Sequence, residues 1–135
     1  MKYTEENLFS EFPWRFEYHN TKFLNIVNAY YGIIRDLPIS EVKALLPITF
    51  TGEDGCHIEP WMIRKMPNGT VNGEIWDRKG DRTGCEVCSV FGDSEDEVYR
   101  KLLIEYMSFI RFTGKEFQKI KATLNRYGKN EENSH

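Results

Sequence analysis

The residues best equipped for chemistry are a histidine, a glutamate and three cysteines in the middle of the chain. His57 and Glu59 stand two apart in His57-Ile58-Glu59, and Cys85-Glu86-Val87-Cys88 follows after the intervening stretch 60–84. One imidazole and two thiolates make a three-ligand set for Zn²⁺ and leave a fourth coordination position to water. Bound zinc lowers the pKa of that water until hydroxide exists near neutral pH. A nearby carboxylate can move protons to and from such a water. Adding Cys56 gives a three-cysteine, one-histidine set of the kind that closes a structural zinc site. Cys56 and His57 are adjacent, however, and hard to aim at one ion. The plainest reading needs no metal. Cysteine is among the most buried residue types and fills cores as a small apolar side chain, and His57 then lies near a turn.

The outline H-x-E … C-x-x-C resembles the signature of the zinc-dependent nucleobase deaminases. The resemblance implies His57, Cys85 and Cys88 as zinc ligands, Glu59 as the proton carrier, and hydrolysis of an amino-purine or amino-pyrimidine. It covers four residues and departs from the family in its surroundings. Gly84 stands where the family has proline. The family sets both halves at helix N-termini, whereas Ser89-Val90-Phe91-Gly92-Asp93-Ser94 after Cys88 reads as a strand and a turn. Residues three apart on a strand face opposite sides, so Cys85 and Cys88 need a bulge or tight turn to share an ion. The approach Asp77-Arg78-Lys79-Gly80-Asp81-Arg82 is charged where a buried strand is apolar. A second, local resemblance runs from Gly84-Cys85 through Gly92-Asp93-Ser94-Glu95-Asp96-Glu97 into an apolar helix. It is similar to the last strand and helix of HicB-type antitoxin domains and of many small phage-borne proteins. Its content is a turn and a capping box, which many folds produce.

A different kind of site lies near the C-terminus. From Arg100 to Lys129 there are eight basic residues (Arg100, Lys101, Arg111, Lys115, Lys119, Lys121, Arg126 and Lys129) against two acidic ones, Glu105 and Glu116. Helical spacing puts Lys115, Lys119 and Arg126 opposite Phe117, Ile120 and Leu124, with Arg111 just before the helix. Such a face suits phosphates or an acidic protein partner. The bland alternative is a solvated amphipathic helix. Exposed aromatics beside the face would favour single-stranded nucleic acid through stacking. Trp14, Phe16, Tyr18, Trp61 and Trp76 are candidates for that role, or for the core. Thr113-Gly114-Lys115 is not a phosphate loop, because Phe109 replaces its first glycine and Glu116 its final Ser or Thr.

These residues need elements to hold them. Thr4 caps a short helix that Pro13 stops, with Leu8, Phe9 and Phe12 on one side. Trp14, Phe16 and Tyr18 alternate with polar residues as in a strand. Phe23, Ile26, Val27, Tyr30, Ile33 and Ile34 keep helical spacing over 22–35. Pro38-Ile39-Ser40-Glu41 opens a helix that ends before Pro47. Ile48–Thr51, Ile58–Lys65, Thr70–Asp77 and Cys85–Phe91 are rich in β-branched and aromatic residues, and Asn68-Gly69 marks a hairpin. Pro60 implies an edge strand or a strand that begins after it. Ser94 and Glu97 form a capping box for a helix that runs to about Phe112. That helix is apolar over more than half its circumference, which predicts cover on two sides, by a sheet and by a second element or a second copy in a homodimer. Thr113 and Glu116 repeat the capping spacing before a last helix that stops at Gly128.

The predicted fold class is α+β: an antiparallel sheet of about three to five strands, helices packed on one face, and two C-terminal helices. Residues 1–128 form a single domain, and residues 129–135 a disordered tail. The chain has 135 residues, a formal net charge of −3 and 40% hydrophobic residues. It is long enough to bury roughly two thirds of its unfolded surface without metal or disulfide. The mild acidity excludes a generally basic nucleic-acid coat. No apolar run approaches a membrane span. The opening residues lack an export signal and the cysteine count is odd, which predicts reduced thiols in the cytoplasm. The favoured function is a small non-catalytic binding module, of accessory, regulatory or phage-type inhibitor character. It acts through Arg111, Lys115, Lys119 and Arg126 on a protein partner, with nucleic acid as the second partner class. No cofactor is expected, zinc being the alternative.

Overall fold

The computed structural model describes residues 2–13, 21–46, 50–51, 57–77 and 85–133. Helix α1 spans Glu5–Glu11. Thr4 caps it, its hydroxyl accepting from the Asn7 amide while the Asn7 side chain accepts from the Thr4 amide at 2.7 Å. Leu8 and Phe12 are buried, and the Phe12 ring meets Phe23 at 5.1 Å and Tyr31 at 5.6 Å, both edge to face. The strand expected over residues 14–18 lies outside the described residues.

The helix expected over 22–35 is present, but in three pieces. These are α2 (Thr21–Ile26), a π-helical turn (Val27–Tyr31) and α3 (Gly32–Asp36). A π turn carries one more residue than an α turn. It therefore brings Tyr31 into the core and leaves Tyr30, placed there by regular spacing, half-buried. Helix α4 (Ile39–Leu45) starts after Pro38, whose carbonyl accepts from the Glu41 and Val42 amides.

Strands β1 (Phe50–Thr51), β2 (His57–Lys65), β3 (Val71–Asp77) and β4 (Cys85–Gly92) form one antiparallel sheet in that order. The β2–β3 hairpin turns where Asn-Gly predicts it. Gly69 has φ +91°, a conformation that costs glycine little, and the Asn68 side-chain oxygen accepts from the Thr70 amide. Described pairing between β1 and β2 ends at Ile58, two residues before Pro60. Both flanking strands are irregular at the same level of β3. Pairing steps from Pro60↔Ile75 to Met62↔Glu74 on one side, and from Ile75↔Cys88 to Trp76↔Glu86 on the other. Trp61 and Val87 are thus the extra residues of two bulges.

Val71, Gly73 and Ile75 face helix α5 (Glu95–Phe109), with Val98 and Leu102 of that helix against Gly73. Ser94 caps α5 by accepting from the Glu97 amide. The Glu97 carboxylate returns one residue beyond the cap, to the Asp93 amide. On its other side α5 packs against α2, the π turn, α3 and α4. Its apolar circumference is therefore covered within one chain, and the helix presents no bare apolar face for the expected homodimer.

The ends of the last two helices differ from expectation. Helix α5 stops at Phe109, because Ile110 turns extended and its carbonyl accepts from Lys22 Nζ. Phe112 thus falls in the turn. Helix α6 runs Lys115–Asn133, and the Gly114 carbonyl, not Thr113, opens it by accepting from the Gln118 amide. Gly128 does not stop the helix. A Cβ there would come within 3.1 Å of Ile33 Cδ1, so this glycine permits close passage over α3. The helix then continues through most of the stretch expected to be a disordered tail. Among the described residues no helix is long and apolar enough to cross a membrane.

Candidate functional site

Helix α6 separates its residues as the spacing predicts. Phe117, Ile120 and Leu124 are buried, while Lys115, Lys119 and Arg126 form an exposed crest on the opposite side. At 1.5 Å per residue the crest is about 16 Å long. Arg111 is exposed in the preceding turn, where its carbonyl accepts from the Gly114 amide. Among the described residues none of these four cations is held in an ion pair. Their field is therefore directed to solvent.

Two of the eight basic residues serve the fold instead. Arg100 donates to the Ile34 carbonyl at 3.2 Å and the Leu37 carbonyl at 2.8 Å, satisfying acceptors at the end of α3. Lys101 is buried. Its ammonium donates to the Phe91 carbonyl at 2.7 Å and the Glu11 carbonyl at 3.2 Å, and lies 3.6 Å from Glu97 Oε1.

Depressions flank the crest on both sides. On one side Tyr30, Phe112, Phe117, Gln118 and Lys121 line an open groove of about 370 Å³. Burial raises the Tyr30 hydroxyl above its ordinary pKa. On the other side Leu45, Leu46, Tyr106, Glu116 and Lys119 border a cleft of about 170 Å³. There burial, with the Glu116 charge adding to it, pushes the Tyr106 hydroxyl up to about 12.

The backbone divides the residues that suggested zinc. The bulge at Val87 aligns Cys85 with Asp77 and Cys88 with Ile75, positions two apart on β3. The two cysteines are therefore in register rows on one face of the sheet, where simple alternation had put them on opposite faces. Ile58 and Pro60 share those rows, whereas Glu59 is aligned with Trp76. His57 and Glu59, two apart, thus belong to the rows of the other face. Cys88 is buried. Cys56 lies outside the described residues, and so do Trp14, Phe16 and Tyr18. Among the described residues no group of three or more His, Cys, Asp or Glu is arranged to hold a metal ion.

Another set of residues escaped sequence reasoning. Phe112, expected at the end of the helix that Ser94 opens, is 44% exposed at the groove. The signal for it was Gly114: a glycine two residues on marks a turn and not the last turn of a helix. Nothing in the local pattern signals that Tyr30 and Lys121 come together. Comparisons with protein-family models, curated proteins and solved structures find no match.

Proposed function

We propose that the protein is a small non-catalytic binding module of the cytoplasm that docks an acidic surface of a protein partner on the crest of α6. The observation that carries this reading is the exposed line of Lys115, Lys119 and Arg126, unpaired among the described residues, on a helix whose opposite face is buried. Three like charges along about 16 Å raise the local potential and steer an acidic surface toward it. Arg111 extends the line toward the α5–α6 turn. The module needs no zinc or other cofactor in this reading, and Glu59 has no catalytic part.

Capture of a partner from the native host, followed by a titration with the purified partner, tests the reading. The triple variant Lys115→Glu, Lys119→Glu, Arg126→Glu should weaken binding by about a hundredfold or more while unfolding at an unchanged denaturant midpoint, because reversed charges at an interface repel. Unchanged affinity of that variant at low ionic strength would remove the crest from the function. Tighter binding of an oligonucleotide than of the protein partner would replace the partner class.

A further inference from the structure

The crest of α6 falls away on its Lys121 side into the aromatic groove. Asn25 and Tyr30 form one wall, Phe112 closes an end, and Phe117, Gln118 and Lys121 form the other wall. The rings that line the groove are packed edge to face. Phe117 meets Phe112 at 4.9 Å with planes at 86°, and meets Tyr30 at 6.1 Å with planes at 75°. The wall carrying Tyr30 is the π-helical turn, an irregularity that often occurs at functional sites. A concave aromatic surface with an exposed ring and a polar rim is the usual form of an anchor pocket.

We infer that this groove seats one apolar side chain of an acidic peptide segment, with carboxylates flanking the anchor on Lys121 and on the Lys115–Lys119–Arg126 crest. The inference rests on the crest reading and adds the pocket that fixes register. Charge complementarity selects the acidic flanks. The rim carries the Lys121 ammonium, which favours an occupant with negative charge beside its apolar part. The exposed Asn25 amide supplies a donor and an acceptor for a peptide backbone. A stacked nucleobase fits less well. Stacking needs an open ring face, and one face of Phe112 is covered by the Lys22 ammonium, 4.9 Å from the ring centre. Phe117, the ring between Phe112 and Tyr30, is buried and offers no open face for stacking.

The test is selection of a displayed random dodecapeptide library on the full chain, followed by affinity measurements on the enriched peptides and on an oligothymidylate. Enriched peptides should carry Leu, Phe or Trp between acidic residues. Replacing that anchor by Ala, or using Phe112→Ala or Lys121→Glu protein, should each weaken binding by about tenfold or more, as for a central interface anchor. Lys121 is on the surface, so Lys121→Glu reads out the groove even if Phe112→Ala is poorly folded. Acidic peptides with no apolar anchor, insensitive to both variants but lost in the triple crest variant, would overturn the groove and leave the crest. Absence of enrichment, or preference for the oligothymidylate, would overturn both.

Discussion

Gly73 is the point of closest approach between the sheet and its central helix. A Cβ there would lie 2.5 Å from Val98 Cγ1 and 3.0 Å from Leu102 Cδ1. Gly73→Ala should therefore destabilise the fold by about 1–3 kcal/mol, the usual cost of overpacking a tight core. Urea unfolding at constant slope would measure it. Because the tightest contact is with a Val98 methyl group, adding Val98→Ala should cost less than the two single changes summed, and strict additivity would refute the contact. Residue-scale features that act over two to four positions were readable beforehand. Thr4, Asn68-Gly69 and Ser94 each bind a backbone group close by in sequence. Gly73 was not readable in this way, because nothing in Asn72-Gly73-Glu74 announces a valine 25 residues later.

At the scale of elements, the strands were legible because turn residues bracket each of them. The two bulges were not, since an extra residue in a strand leaves no fixed signature. The bulge at Val87 reverses what alternation implied for Cys85 and Cys88, while the unbroken register over Ile58–Pro60 separates His57 and Glu59 from them. Elemental analysis of untagged protein should accordingly find zinc well below one ion per chain. Stoichiometric zinc that is lost on Cys88→Ser would refute that expectation and revive the hydrolytic alternative. Helix ends were the least legible. Phe109 ends α5 because Lys22, distant in sequence, takes the Ile110 carbonyl, and Gly128 lies inside α6 because Ile33 passes beneath it. Both outcomes depend on tertiary neighbours, which override local propensity.

At the scale of the molecule, α5 is a middle layer. The excess of apolar residues on it was visible in the sequence. What covers them was not, because a second copy and a second layer of helices satisfy the same pattern. The burial that results should be felt at high pH. Burial, helped by Glu11 and opposed by Arg35, pushes the Tyr3 hydroxyl up to about 12. Burial with Glu116 does the same for Tyr106, and burial raises Tyr31 further. In the unfolded chain these hydroxyls ionise near the ordinary 10.0. The unfolded state then loses its protons first, so stability is full below about pH 10 and falls as pH rises toward 12. Urea midpoints measured between pH 8 and 12 should show this decline, and it should be shallower in Tyr106→Phe than in the parent chain. An equal decline in both would show that Tyr106 ionises alike in the folded and unfolded chain.

The buried Lys101 ammonium ties its own helix to two other elements, since its two carbonyl acceptors belong to Glu11, 90 residues away, and Phe91, ten residues away. Peeling the amino-terminal helix away by itself would leave a cation without one of its acceptors beside the hollow vacated by Phe12. Amide exchange in the first helix should therefore slow toward the rate of the helix beside it, and much faster exchange of the first helix alone would show that Lys101 does not couple them.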